Sequence, residues 1–122
     1  MVKEEVRVVL VDDDRDTCEA LSEILQCDGY AVRIALNAAD AMKAVEEYKP
    51  ICALVDLGLP DIDGCELAQR LRSKHGSDLV LIAVTGWSEQ SERDRAEAAG
   101  IDFVLVKPLA IDTLRKFLPP VA

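Results

Sequence analysis

Aromatic side chains are scarce, at 4% of the 122 residues, so a core has to be assembled mainly from Val, Leu, Ile and Ala. Positive charge is also in deficit: 14 Lys and Arg face 23 Asp and Glu, a formal net charge of −9. Surfaces for nucleic acid or an anionic membrane need clustered cations, so neither partner is expected. The single histidine is His75, and the four cysteines (Cys18, Cys27, Cys52 and Cys65) form no CxxC pair. Zinc-ligand spacing is therefore absent. Each cysteine sits in an apolar pattern, which leads to the expectation of four buried, reduced thiols in a cytoplasmic protein. No apolar run approaches the roughly 18 residues of a membrane span. The charged opening Met-Val-Lys-Glu-Glu lacks the apolar stretch of a secretory signal. What remains is one soluble domain over residues 1–122, with half of its residues hydrophobic and no need of disulfides.

Apolar runs alternate with helical patterns from end to end. Val6–Val11 reads as a strand, and the following segment, Arg15–Asp28, puts Cys18, Leu21, Ile24 and Leu25 on one helical face. Tyr30–Ala35 is a second strand, and Arg33 within it suits a sheet edge. Asn37 suits the N-cap of a helix whose stripe is Ala38, Ala41, Met42, Val45 and Tyr48, and Pro50 stops that helix. Ile51–Val55 is the third strand, and Gly64 opens a helix with Leu67, Ala68 and Leu71 inward. Leu79–Val84 is the fourth strand. Ser88 is placed to cap a fourth helix that Gly100 closes. Phe103–Val106 is the fifth strand, and Ile111, Leu114, Phe117 and Leu118 form a last stripe before Pro119-Pro120. Five β/α units with apolar central strands mean an α/β, doubly wound parallel sheet with helices on both faces. The fold class expected is flavodoxin-like, with strand order 2-1-3-4-5.

In such sheets chemistry lies beyond the carboxyl ends of the strands. Strand one ends in Asp12-Asp13-Asp14, strand three in Asp56, strand four in Thr85-Gly86 and strand five in Lys107-Pro108. Each has an ordinary alternative. Asp12–Asp14 can cap the first helix, Asp56 can be a turn residue ahead of Gly58, Thr85 can be a satisfied strand hydroxyl and Lys107 a solvated cation. Their convergence on one rim is the stronger observation. Crowded carboxylates call for a counter-ion, and oxygen-only ligands suit Mg²⁺. A carboxylate beside such an ion is a nucleophile towards phosphorus, and phosphoryl transfer chiefly needs placement and charge neutralisation.

The segments VVLVDDDRD, ALVDLGLPDIDG, LIAVTG and GIDFVLVKPL, in this order, resemble the response-regulator receiver family from about Val6 to Leu118. The resemblance implies that Asp56 is the phosphoacceptor and that Asp12 and Asp13 hold Mg²⁺, with Asp13 a direct ligand and the Gly58 carbonyl completing the protein's share. It further implies that Thr85 is the switch hydroxyl, that Lys107 contacts the phosphate beside Gly86, and that Lys107-Pro108 is a cis peptide. The donor implied is a histidine kinase or a histidine phosphotransfer protein. The chain then acts as a phosphoacceptor promoting its own phosphorylation and dephosphorylation and is not itself classed as an enzyme, unless it is part of a hybrid kinase. LGLPDIDG and GIDFVLVKP are similar in style to receivers of hybrid histidine kinases.

Several positions depart from the commoner family pattern, among them Trp87, a large group expected beside the site, and Gly58, too small to screen Asp56. Val104 stands where an aromatic switch residue is frequent, and Gly86 where Ala is. A dehalogenase-type phosphatase is disfavoured by Gly58 where it needs a second Asp, and an FMN carrier by three acids where it needs a phosphate loop. A degenerate receiver serving as a scaffold is the remaining alternative, disfavoured because every site position is filled. The fourth helix has only alanines for an apolar face, which suits either a solvated helix or one that moves or docks a partner.

Overall fold

The computed structural model describes residues 5–86 and 89–121. Its elements are β1 (Arg7–Val11), α1 (Arg15–Cys27), β2 (Ala31–Ala35), α2 (Ala38–Tyr48), β3 (Cys52–Asp56), α3 (Gly64–His75), β4 (Val80–Thr85), α4 (Gln90–Ala98), β5 (Phe103–Val106) and α5 (Ile111–Phe117). A single 3₁₀ turn, Gly76–Asp78, precedes β4. All strand pairs are parallel, and the order is β2-β1-β3-β4-β5, as expected from the sequence.

Period-two alternation divides the core. Val8 and Leu10 of β1, Leu54 of β3 and Ile82 of β4 face α1 and α5, meeting Cys18, Leu25 and Leu114. Val9, Val11, Val55 and Leu81 face the opposite way, towards Val45 of α2, Leu67 and Leu71 of α3, and Ala96 of α4. Leu25, Leu71, Ile82 and Leu114 are among the largest fully buried side chains, each worth roughly 1.5–3 kcal/mol of transfer free energy. Because the central strands bury both faces, they read as unbroken apolar runs.

Arg33 lies on β2, an edge strand, where its guanidinium covers the Tyr48 ring at 4.6 Å and pairs with Glu47 at 3.3 Å. Asn37 caps α2 by accepting from the Asp40 N–H at 2.8 Å, as its position suggests. Two expectations for α1 need correction. Ile24 is 36% exposed, whereas Ser22 is buried with its hydroxyl accepting from Gln26 at 2.9 Å. Cys27, in the last turn of α1, is exposed, so only Cys18, Cys52 and Cys65 are buried thiols. The helix rotates Cys18, Ser22 and Leu25 onto the sheet and leaves Ile24 and Cys27 on its outer flank.

Arg72 stitches together the end of the sheet opposite the strand carboxyl termini. It donates to the carbonyls of Gly76 (2.6 Å), Leu79 (2.6 Å) and Gly100 (2.8 and 3.0 Å) and to Asp102 (2.7 Å). Asp102 in turn accepts from the Leu81 N–H at 2.8 Å. Gly100, at φ +91°, closes α4 and lies so near Arg72 that a Cβ would sit 2.9 Å from its Cγ. On α4 the alanine face is what the sheet receives, with Ala96 and Ala99 buried. Glu89 occupies its cap position without a side-chain hydrogen bond, while Ser88 and Trp87 lie outside the described residues.

Gly64 has the least room for a side chain of the described glycines. A Cβ there would meet Leu57 Cα at 2.5 Å and the Asp56 carbonyl oxygen at 2.9 Å, both backbone atoms that cannot swing aside. Gly64→Ala is therefore expected to destabilise the fold by about 1–3 kcal/mol. Urea unfolding should show a lower midpoint with an unchanged slope.

Candidate functional site

The sheet register decides which residues meet. Val11 lies opposite Val55, Asp56 opposite Val84, and Thr85 opposite Val106, so the residues that end these strands share one rim. The ladder extends past the strand ends: Asp12 N–H donates to Ala35 O at 3.1 Å, Leu57 N–H to Val84 O at 3.1 Å and Lys107 N–H to Thr85 O at 2.8 Å. Backbone hydrogen bonds thus fix the starting point of each functional side chain.

Asp56 is 9% exposed. Its Oδ1 accepts from the Gly58 N–H at 2.9 Å, and its Oδ2 accepts from Lys107 Nζ at 3.0 Å. Asp12 reaches the same ammonium, with Oδ2 at 3.7 Å, while its Oδ1 accepts from the Asp14 N–H at 3.0 Å. Asp13 is exposed, and one oxygen from each of Asp12, Asp13 and Asp56 lies within 4.8 Å of the others. The acid run after β1 is thereby split between two tasks. Asp14 caps α1, accepting from Asp16 N–H at 3.0 Å and Thr17 N–H at 3.3 Å, and hydrogen bonding from the Thr17 side chain foremost, then from these N–H groups, holds its carboxyl below the usual range. Asp12 and Asp13 are left for the rim.

Burial pushes the Asp12 carboxyl above the ordinary carboxylate range. The Asp14 N–H acts against that shift, and the neighbouring Asp56 charge adds to it. Burial also works against the Lys107 ammonium, yet its hydrogen bond to Asp56 and the charges of Asp56 and Asp12 outweigh this and hold its pKa above the usual value. A donor set made only of carboxylate oxygens, mutually close and short of positive charge, fits a hard divalent cation such as Mg²⁺ and not a nitrogen- or sulfur-seeking metal.

The other residues singled out from sequence are placed as follows. Thr85 is buried at the rim, next to exposed Gly86, around which a Cβ would meet open space. Gly58 is exposed, with its Cβ direction 3.5 Å from Asp56 Oδ1. Lys107-Pro108 is cis. Val104 is half-buried and packs against the core beneath α2, α3 and α4.

Sequence reasoning missed three features. A cavity of about 230 Å³ opens beside Asp56 and Lys107, lined by Leu10, Cys18, Leu21, Leu54 and Leu109. Cys18 donates to the Asp12 carbonyl at 3.6 Å, and burial, with the Asp12 and Asp14 charges adding to it, pushes its thiol up to about 11. The third is the loop after β3. Asp63 caps α3 through the Cys65 N–H at 2.8 Å and pairs with Arg95 of α4 at 2.6 Å. Asp61 reaches the first turn of α2. An Asp just before a helix-opening Gly was a readable cap signal, but Asp61 carried none, since its partners lie more than twenty residues away.

Comparison with known proteins bears on the family and the fold. The family model described as the response regulator receiver domain matches residues 8–118. A response regulator called MprA from a Mycobacterium strain is 36% identical over 109 residues, which is 89% of this chain and 47% of that protein. The chain thus spans about half the length of the curated relatives it matches. Among solved structures, a receiver domain protein from Methanospirillum hungatei has a TM-score of 0.86 at 31% identity, covering 93% of this chain and 90% of that one. A Burkholderia pseudomallei response regulator, solved with a phosphorylated aspartic acid, calcium ion and citrate, has a TM-score of 0.87 at 27% identity, over 95% and 67% of the two chains.

The electrostatic strain on the rim falls on Asp12. Because its folded pKa lies above the unfolded one, the wild type loses stability as pH rises from the ordinary carboxylate range through that raised value. Asp12→Asn, which keeps an oxygen for the Asp14 N–H, is expected to raise the metal-free melting temperature at neutral pH. That advantage should vanish at pH values below the ordinary carboxylate pKa. Melting curves across this pH range, in the presence of a chelator, check both the sign and the window.

Proposed function

Since this chain belongs to the response regulator receiver family, we propose that it is the phosphoacceptor module of a two-component relay, with Asp56 as the covalent site. The observation that carries this reading is the meeting of a buried carboxylate, a lysine ammonium at 3.0 Å and two further carboxylates at the end of a parallel sheet. Asp12, Asp13, Asp56 and the backbone carbonyl of Gly58 would hold Mg²⁺. The ion, when bound, supplies charge neutralisation for an incoming phosphoryl group and relieves the crowding of the acids.

The donor on this reading is the phosphohistidine of a histidine kinase or a histidine phosphotransfer protein. An Asp56 carboxylate oxygen attacks phosphorus and forms the O–P bond as the N–P bond breaks. The electron pair returns to the imidazole nitrogen, and an acyl phosphate remains on Asp56. The Gly58 N–H restrains the Asp56 rotamer through Oδ1. Lys107 neutralises the carboxylate beforehand and stands within reach of an oxygen on the added group, where a charge-assisted hydrogen bond is gained. The Thr85 hydroxyl and the Gly86 N–H are the donors for a further oxygen. Because Asp56 is consumed stoichiometrically, the chain is an acceptor that assists its own modification and not a classical turnover enzyme. With Val104 too short and too stiff at χ1 for an aromatic-type swing, the response runs through the segment after β4 and through α4, held to the sheet by small alanine contacts.

Incubation with Mg²⁺ and acetyl phosphate is expected to add one phosphoryl mass that is labile to hydroxylamine. Chelation or Asp56→Ala should abolish it, as intact-mass spectrometry would show. Full modification of the Asp56→Ala protein would sink the assignment.

A further inference from the structure

Resting on the reading above, we infer that Asp61 is a positioning residue for the reaction at Asp56. Its carboxylate ties the β3–α3 loop to the first turn of α2 and so fixes the place of Gly58. Asp61 Oδ1 accepts from the Ala38 N–H at 2.9 Å and Oδ2 from the Ala39 N–H at 3.1 Å. These amide hydrogens belong to the start of a different helix, so the contact spans two elements and does not close a local turn. The hydrogen bonds hold the Asp61 carboxyl below its usual range, the one to Ala38 foremost.

The loop has little freedom of its own to correct a displacement. At one end Leu57 N–H is bound to Val84 O at 3.1 Å, and Gly58 N–H to Asp56 Oδ1 at 2.9 Å. At the other end Gly64 N–H donates to Leu57 O at 3.3 Å, with no room for a side chain against the Leu57 and Asp56 backbone, and Asp63 is committed to α3 and to Arg95. Between these fixed ends, Leu59 and Ile62 are partly buried against the core and Asp61 supplies the polar tie. Release of Asp61 lets the loop shift, and Gly58 is the residue whose N–H sets the Asp56 rotamer and whose carbonyl is assigned to the metal. The relation is that of an outer-shell group to the ligands it orients.

The competing role is that of a plain helix cap for α2. That helix has a cap of its own, Asn37, which satisfies the Asp40 N–H. The two residues therefore serve the same helix end, and only Asp61 is connected to the loop that leaves Asp56. This pair provides the control.

The experiment compares Asp61→Ala and Asn37→Ala in the full chain. Thermal unfolding measures the loss of the cap, calorimetric titration the Mg²⁺ affinity, and intact-mass kinetics the rate of modification by acetyl phosphate. Both variants should lower the melting temperature. Asp61→Ala should also weaken Mg²⁺ binding and slow phosphorylation on the order of tenfold, while Asn37→Ala leaves both near wild type. Asp61→Asn keeps a single acceptor oxygen, is the milder variant if the alanine protein folds poorly, and should show a smaller loss in both. Wild-type Mg²⁺ affinity and rate in the folded Asp61 variants would overturn the inference and leave the proposed function standing. So would equal losses in Asn37→Ala, which would mark the effect as general loosening of α2. A wild-type protein that neither binds Mg²⁺ nor takes up the phosphoryl group would overturn both readings.

Discussion

Asp12 and Asp56 are obliged to share one ammonium. Parallel pairing of β1 with β3 brings their terminal residues side by side, and the only short ion pairs that either acid makes among the described residues are with Lys107, at 3.7 and 3.0 Å. At the effective dielectric of a protein rim, a pair of unit charges about 4 Å apart interacts by roughly 4 kcal/mol. Two attractions of that order and one repulsion leave a cluster that is held together but over-supplied with negative charge. Exposed Asp13 adds a further negative charge, well screened by solvent. The fold thus maintains, at a cost in its own stability, a place that becomes comfortable only when more positive charge arrives.

That cost is borne by a rim whose strand ends and β3–α3 loop are tied in place by hydrogen bonds. Backbone hydrogen bonds continue past the ends of the strands, Asp14 secures the start of α1, and the loop beyond Asp56 is pinned at Gly64 and Asp63. Small residues recur where elements meet: Ala53 and Ala83 in the sheet, Ala68 in α3, Ala96 and Ala99 at the end of α4. They allow close approach without large interlocking side chains, and α4 in particular is seated on contacts of low energy per residue.

Much of this was legible in the sequence because it depended on local pattern. Continuous apolar runs gave the buried strands, Arg33 marked an edge, and the strand-end acids, threonine and lysine could be assigned to one rim from topology alone. Two kinds of feature were not legible. Rotation of a helix about its axis decides between Ile24 and Ser22, or between burying and exposing Cys27, and a short apolar stripe does not fix that rotation to within one residue. Contacts between elements distant in sequence, such as Asp61 with Ala38 or Arg72 with Gly100, arise only after the layers have packed. An acid in a loop and an arginine on a helix carry no mark of the partner they will find.

The Arg72 network has a mechanical consequence. It holds the carbonyl of Gly100, immediately beyond α4, against α3 and the start of β4, and the Arg95–Asp63 pair lies in the same C-terminal half of the helix. A helix fixed at that end would tilt as a lever about a fulcrum in place of sliding as a body. The nine residues of α4 make an arm of about 13 Å at 1.5 Å per residue. On an arm of that length, a tilt of about 10° displaces the far end by roughly 2 Å while the Gly100 fulcrum stays in place. On the proposed reading, a shift at the described residues ahead of Gln90 would be converted into a change of angle along the flank of the molecule.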